Sequence, residues 1–160
     1  MTSRVRLGLL GAAFGFALIG ASAGWAQDAQ TVIKQRQDLM KQQGRDLAAV
    51  KAFLDGKSDQ AAAQAGADDL LRTLPQVPTV FPQKTSSAEY PGQTRAKPVI
   101  WAEWDKFVAA QQNALSKAQV LNAAVKTGDK AQIQTAFADI GKNGCNGCHD
   151  TFREPQPQKQ

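Results

Sequence analysis

The chain has few of the side chains from which most catalytic and metal sites are built. Its 160 residues contain one histidine, two cysteines and two methionines. A single histidine excludes any site that needs two imidazoles from one chain. It also leaves no base for a nucleophilic catalytic pair if that histidine has another task. Alternation of apolar and polar residues typical of strands is missing as well, which disfavours β-sheet folds.

Both cysteines and the only histidine lie within five consecutive residues, Cys145-Asn146-Gly147-Cys148-His149. This C-x-x-C-H spacing is typical of c-type haem attachment. Two thiols add to the vinyl groups of one porphyrin, and the histidine binds the iron from one side. On an α-helix all three side chains would face one flat ligand. The motif therefore predicts one haem c, bound through Cys145 and Cys148, with His149 as an iron ligand.

Other interpretations of the motif are weaker but remain open. A zinc site needs four ligands, and only these three soft ligands exist. A thioredoxin-type thiol pair, which would make the protein a thiol oxidoreductase, is expected in a βαβ context. A disulfide between residues three apart on a helix has poor geometry. If haem is attached, both cysteines are consumed and no disulfide can form.

The N-terminus has the pattern of a secretory signal peptide. Arg4 and Arg6 precede an apolar stretch over residues 7–20, and small-residue cleavage sites follow. We expect cleavage after Ala26. An uncleaved anchor is the alternative, since residues 7–26 are long enough to span a bilayer. Cleavage implies a bacterial periplasmic protein with no membrane span in its mature form.

The net charge gives little support to a nucleic-acid partner. Loss of Arg4 and Arg6 leaves 17 basic and 14 acidic residues, so the formal charge falls from +5 to +3. Two haem propionates would bring it near +1. The basic residues are scattered singly, without the clusters typical of nucleic-acid binding.

Apolar residues recur at three- and four-residue spacing in four segments. They predict helices over residues 31–54, over 59–74, from Pro98 to about 127, and from about 130 through the haem motif. Gly56 suits a helix C-cap, and Ser58 and Asp129 suit N-caps. Residues 75–97 are rich in proline and are expected to be irregular.

Four helices with two short connections predict an all-α fold, an antiparallel four-helix bundle with the cofactor between facing helices. We expect the bundle over residues 27–154 and a flexible tail over 155–160. Within it, Met40 is the only methionine left after signal cleavage. Met40 is therefore the one candidate for a second axial ligand of the usual kind, although a methionine on a helix more often fills a gap in the core. Gly44, one turn later, would leave room for a porphyrin or for a close helix.

Several segments resemble the class II cytochromes c, which comprise cytochrome c prime and its methionine-ligated low-spin relatives. The resemblance covers essentially the whole mature chain. It is carried by Ile33-Lys34-Gln35-Arg36-Gln37, Lys97-Pro98-Val99-Ile100-Trp101, Phe137-Ala138-Asp139-Ile140-Gly141 and Cys145 through Arg153.

The resemblance implies a left-turning four-helix bundle with one covalent haem. It implies Cys145 and Cys148 as attachment points and His149 as proximal ligand. Arg36 and Gln37 match residues near the haem edge, and Arg153 matches a basic residue near the proximal imidazole. Either arginine could balance a haem propionate. Dimerisation is common in the family.

We therefore expect a periplasmic electron carrier that is not an enzyme, in which His149 and Met40 ligate the iron and redox proteins are the partners. The sequence around Met40 resembles the low-spin branch. The alternative is a five-coordinate haem protein that binds nitric oxide or carbon monoxide, with Met40 covering the distal face without a bond.

Overall fold

A computed structural model of the chain describes residues 22–156, and the side chains from residue 28 onward. The predicted signal peptide lies outside the described residues except for residues 22–26, which begin the first helix. Of the predicted tail, residues 157–160 also lie outside. Six α-helices are present in the described part: α1 Ser22–Leu54, α2 Gln60–Thr73, α3 Val99–Ala102, α4 Trp104–Thr127, α5 Lys130–Asp139 and α6 Gly147–Phe152.

The helices form the predicted four-helix bundle, which confirms the all-α fold. The first three members are α1, α2 and α4, and the fourth is α5 continued into α6. α1 packs on α2, α2 on α4, and α4 on the fourth member. Between residues 22 and 156 there is no strand, only one isolated antiparallel bridge that pairs Ala96 with Arg153. No helix in this range is long and apolar enough to cross a membrane.

Two apolar clusters fill the bundle. The larger one joins α1, α2, α4 and α5 through buried residues that include Val50, Leu70, Leu121, Ile133 and Ile140. The smaller one lies at the other end and consists of Val77, Phe81, Ala96, Ile100, Phe107 and Phe152. Met40 and Cys148 pack against this smaller cluster. Cys148 therefore lies at the aromatic end of the bundle, whereas Cys145 packs against the larger cluster.

The structure corrects three local predictions. The N-cap of α2 is Asp59 and not Ser58, since Asp59 is extended and its carboxylate accepts a hydrogen bond from the Ala62 amide at 2.9 Å. Residues Leu74–Val80 form a 3-10 helix where an irregular chain was expected. Pro75 is compatible with it because the first helical amides need no partner. The predicted third helix is divided into α3 and α4 at Glu103, whose φ is −123° and ψ 47°.

The fourth helix also differs from the prediction. Residues Ile140–Asn146 form a π-helical segment between α5 and α6. Such segments use i→i+5 hydrogen bonds and often occur at functional sites. Cys145 therefore belongs to the π-helical turn, whereas Cys148 and His149 belong to α6. The N-cap prediction for Asp129 is confirmed, since its carboxylate accepts from the amides of Ala131 and Gln132.

Gly66 allows α1 and α2 to approach closely. A Cβ atom at this position would lie 2.6 Å from the Asp46 carbonyl oxygen and 3.2 Å from the Ala49 Cβ. Gly44, by contrast, is exposed, and a Cβ there would meet nothing within 4 Å. The close helix approach suggested for Gly44 is therefore made by Gly66.

We expect Gly66→Ala to lower the free energy of unfolding by about 1–3 kcal/mol, because the new methyl group collides with helix backbone. The matched change Gly44→Ala should raise it by about 0.5–1 kcal/mol, since alanine favours an exposed helix interior. Urea unfolding measures both. Equal effects of the two substitutions would contradict the close approach at Gly66.

The α1–α2 interface also contains a carboxyl group with incomplete hydrogen bonding. Asp46 is only 5% exposed, its Oδ1 accepts from the Gln42 Nε2 at 2.8 Å, and its Oδ2 has no partner among the described residues. The same Gln42 nitrogen lies 3.2 Å from a carboxylate oxygen of Asp69. Burial raises the pKa of Asp46, and the charge of Asp69 adds to the effect.

A raised pKa in the folded state means that ionisation of Asp46 costs stability. The cost begins as the pH rises above the unfolded pKa of about 3.9 and is complete above the folded pKa. Asp46→Asn should therefore raise the free energy of unfolding at pH 7 by about 0.5–1.5 kcal/mol, and the gain should shrink at pH 3.

Asp55→Asn is the control for Asp46→Asn, because Asp55 has its pKa lowered by a hydrogen bond from Lys51. That change should act in the opposite direction at pH 7. Urea unfolding at pH 3 and pH 7 compares the two variants. A gain for Asp46→Asn that does not depend on pH would contradict the assignment of a raised pKa.

Candidate haem site

One large cavity opens between α1, the segment after the 3-10 helix, and α6. Its volume is about 860 Å³, within the range of roughly 300–1,000 Å³ that cofactor and ligand sites occupy. α1 contributes Arg36, Gln37, Met40 and Lys41 to its wall, and the C-terminal segment contributes Cys148, His149, Phe152 and Arg153. The two predicted axial ligands thus line the same space from different helices.

Six of the seven predicted site residues line this cavity, and Cys145 is the exception. Cys145 is half-buried and packs against the larger apolar cluster. Cys145 occupies this position because it belongs to the π-helical segment Ile140–Asn146 and not to α6. Within that segment, Gly144 brings the backbone close to α4, since a Cβ there would lie 3.4 Å from the Ala114 Cα.

Burial determines the protonation of the His149 imidazole. Its pKa is lowered to about 4, first by burial and then by the positive charges of Arg153 and Arg95. Asp150 acts in the opposite direction. The imidazole is therefore neutral at physiological pH, and the neutral form is the one that binds a metal ion.

The same burial acts on the thiols. It raises the pKa of Cys148 to about 11 and also raises the pKa of Cys145. Reactive redox cysteines have lowered pKa values, so these thiols do not have the electrostatics of a thiol oxidoreductase. Among the described residues, no three His, Cys, Asp or Glu side chains are grouped to hold a metal ion. The zinc interpretation therefore gains no support.

The cavity wall on the bundle side is aromatic. Phe107 contacts Phe81 at a ring-centroid distance of 4.8 Å and Phe152 at 5.4 Å. The Trp101 indole fixes the Phe81 backbone by donating from Nε1 to its carbonyl oxygen at 3.0 Å. A flat apolar ring system fits against such a wall, and the wall keeps water away from it. The residues present therefore fit a haem.

Arg36 connects α1 to the segment that follows Phe81. Its side chain is 4% exposed and donates to the Thr85 carbonyl oxygen at 3.0 Å and to the Thr94 hydroxyl at 2.8 Å. The guanidinium also lies 4.5 Å from the Phe81 ring centroid. Burial lowers its pKa to about 10, so it stays charged at neutral pH. Gln37 adds a hydrogen bond of 2.7 Å to the Gln93 carbonyl oxygen.

Sequence reasoning missed the part of the wall formed by residues 91–96. These residues lie in a proline-rich segment without helical or strand periodicity, so no pattern indicates which side chains point inward. The wall includes Gln93, Thr94, Arg95 and Ala96. Hydrogen bonds from Glu154 N to Arg95 O at 2.7 Å and from Lys97 N to Phe152 O at 3.0 Å join it to the C-terminal segment.

Comparison with known proteins identifies the family of the chain. A family model described as Cytochrome C' matches residues 31–153. The chain belongs to the cytochrome c' family. Cytochrome c' of Pararhodospirillum photometricum is 31% identical over 126 residues, which are 78% of this chain and 98% of the relative. Cytochrome c-556 of Rhodopseudomonas palustris is 32% identical over 145 residues, 89% of this chain and 94% of the relative.

A solved structure shares the fold. The crystal structure of cytochrome c' from Rubrivivax gelatinosus is 31% identical, with a TM-score of 0.67, and the match covers 79% of this chain and 97% of that one. Proteins of the cytochrome c' family bind one covalent c-type haem, as the C-x-x-C-H motif predicts. The expected class II family and its cofactor are thereby confirmed.

The hydrogen bonds of Arg36 should make it important for stability. We expect Arg36→Gln to lower the free energy of unfolding by about 2–4 kcal/mol, because charged hydrogen bonds are lost and the Thr85 carbonyl oxygen loses its donor. Gln37→Ala, which removes one exposed hydrogen bond next to it, should cost about 1 kcal/mol or less. Urea unfolding compares them. Similar decreases in the free energy of unfolding of the two variants would contradict the role assigned to Arg36.

Proposed function

We propose that this cytochrome c' family protein carries single electrons in the bacterial periplasm, with His149 and Met40 as the axial ligands of its haem iron. The observation that supports the ligand pair is the shared cavity, to which α1 presents Met40 and α6 presents His149. The periplasmic location rests on the signal pattern of residues 1–26. That its partners are redox proteins, and that it forms a homodimer, are predictions that follow from the family resemblance.

When bound, the haem supplies a one-electron Fe(III)/Fe(II) couple, whose potential a Met/His pair raises. The chain supplies the surroundings. His149 is held neutral, and the aromatic wall of Phe81, Phe107 and Phe152 would keep water away from a porphyrin bound in the cavity. Cys148 lines the cavity, and Cys145 lies three residues before it, packed against the larger apolar cluster. Both would form the thioether bonds of the C-x-x-C-H motif.

The polar groups near Met40 support electron transfer over gas binding. A bound diatomic ligand is stabilised by hydrogen-bond donors on its side of the haem. α1 contributes three donors to the cavity wall: Arg36, Gln37 and Lys41. Arg36 and Gln37 donate to the segment over residues 85–94, and the Lys41 ammonium lies 3.7 Å from the Asp38 carboxylate. All three therefore have partners within the protein.

The second candidate is a five-coordinate haem that binds nitric oxide or carbon monoxide. It is favoured by the family match to cytochrome c' and by the packing of Met40, which is half-buried against the smaller apolar cluster. A methionine in that position could cover the iron side of the cavity without binding the metal.

Met40 variants separate the two candidates. We expect the wild-type holoprotein to be low-spin, and its reduced spectrum to change little with carbon monoxide. Met40→Leu keeps the apolar volume but removes the thioether sulfur. It should give a high-spin spectrum and raise the affinity for carbon monoxide at least about tenfold, or about 1.4 kcal/mol.

Met40→Ala is the companion variant, because it removes both the sulfur and the bulk. Ligation predicts that the leucine and alanine variants bind carbon monoxide with similar affinity. If the wild type is already high-spin and only the alanine variant differs from it, Met40 covers the iron without binding it. The second candidate would then replace the first.

A further inference from the structure

A buried side-chain amide on α1 has a hydrogen-bond donor without an acceptor. Gln43 is only 9% exposed, and its Nε2 has no hydrogen-bond partner among the described residues. Leaving such a donor unpaired costs free energy, so native proteins rarely do so. The Gln43 amide is therefore suited to an acceptor that belongs to the filled site.

Gln43 lies on the same face of α1 as Met40. The buried and half-buried residues of this face recur at three- and four-residue spacing and are Ile33, Arg36, Met40, Gln43, Leu47 and Val50. Residues three apart on one helix face have Cβ atoms about 5–6 Å apart. Side chains on a helix lean toward its N-terminus. The Gln43 amide therefore extends back over the turn that contains Met40.

The surroundings of Gln43 are apolar. Met40 packs against the smaller cluster, and Leu47 and Val50 belong to or pack against the larger one. Gln43 lies between them, in surroundings where a hydrogen bond is stronger than it is in water. Met40 lines the cavity, whereas Gln43 is not part of its wall. The amide therefore faces the thioether more than the space in which a diatomic ligand would bind.

Asp46 is the other acceptor near Gln43, and it is directed elsewhere. Its Oδ2 also has no partner among residues 28–156, yet the two side chains form no hydrogen bond with each other. Asp46 Oδ1 accepts from Gln42, whose amide also lies 3.2 Å from the Asp69 carboxylate of α2. Asp46 therefore faces the α1–α2 interface. On the cavity side of Gln43, the candidate acceptor is the Met40 sulfur.

We propose that the Gln43 side-chain amide donates a hydrogen bond to the Met40 sulfur when that sulfur binds the haem iron, and thereby positions the ligand. This inference rests on the proposed ligation by Met40. A thioether sulfur has two lone pairs, so one can accept a hydrogen bond while the other binds iron. The hydrogen bond withdraws electron density from the sulfur, which favours Fe(II) and raises the reduction potential.

Nuclear Overhauser effects in the reduced holoprotein test the contact itself. Low-spin Fe(II) is diamagnetic, and the methyl group of an iron-bound methionine gives an upfield resonance because it lies over the porphyrin ring. We expect a cross-peak between this methyl group and the side-chain amide protons of Gln43. An upfield methyl resonance without that cross-peak would overturn the inference and leave the ligation by Met40 intact. Absence of the upfield resonance would overturn both.

Gln43→Leu tests the effect on the reduction potential, because it removes the amide at similar volume. The Fe(III)/Fe(II) equilibrium should move toward Fe(III) by up to about tenfold, which lowers the potential by up to about 59 mV. Leucine is also more apolar than glutamine, and apolar surroundings by themselves disfavour Fe(III) and raise the potential. A fall therefore reports the lost hydrogen bond, and an unchanged or higher potential would contradict the inference.

Gln111→Leu is the matched control, since Gln111 is a buried glutamine that has a partner within the protein. It is 3% exposed, and its Nε2 donates to the Leu74 carbonyl oxygen at 3.0 Å. This variant should keep the cross-peak between Gln43 and Met40 and should retain the wild-type potential. An equal fall in potential in the two variants would overturn the role assigned to Gln43.

Discussion

The hydrogen bonds of one buried guanidinium determine how the cavity is enclosed. Arg36 joins α1 to Thr85 and Thr94, and the bridge between Ala96 and Arg153 joins the same connecting segment to the end of α6. Without these attachments, few contacts would hold residues 82–95 against the bundle, because this segment contains Pro82 and Pro91 and no helix or strand orders it. The polar attachments therefore position the wall that faces the aromatic cluster.

The site follows from this arrangement. α1 places Met40 on one side, α6 places His149 and Cys148 on another, and Phe81, Phe107 and Phe152 cover the bundle side. Burial is the largest cause of the lowered pKa of His149, to which the charges of Arg153 and Arg95 add, and it is also the largest cause of the raised pKa of both thiols. The same apolar surroundings that make the site suitable for a porphyrin therefore also prepare the imidazole to bind iron.

The sequence predicted the features that depend on periodicity and on a specific motif. The four bundle members and the Asp129 cap follow from helical spacing, and the pairing of Cys148 with His149 follows from C-x-x-C-H. Met40 was selected on another ground, because it is the only methionine left after signal cleavage. The sequence could not predict the π-helical segment at Cys145, because one extra residue in a helical turn leaves no mark in the apolar pattern. Nor could it select Arg95, Thr85 and Thr94, since the direction of side chains in an irregular segment is determined by tertiary contacts. Gly66 could not be selected either, because nothing in an alanine-rich helical sequence indicates which glycine lies against a neighbouring helix.

The proposed function depends on α1 and α6 each supplying one axial ligand of the haem iron. X-ray absorption at the iron edge of the oxidised and reduced holoprotein tests it most directly, because it reports the atoms bound to the metal. If Met40 and His149 both bind the iron, the spectrum should show six-coordinate iron with one sulfur scatterer, and Met40→Leu should lose that scatterer. Five-coordinate iron without sulfur in the wild type would contradict it and would identify Met40 as part of the cavity wall.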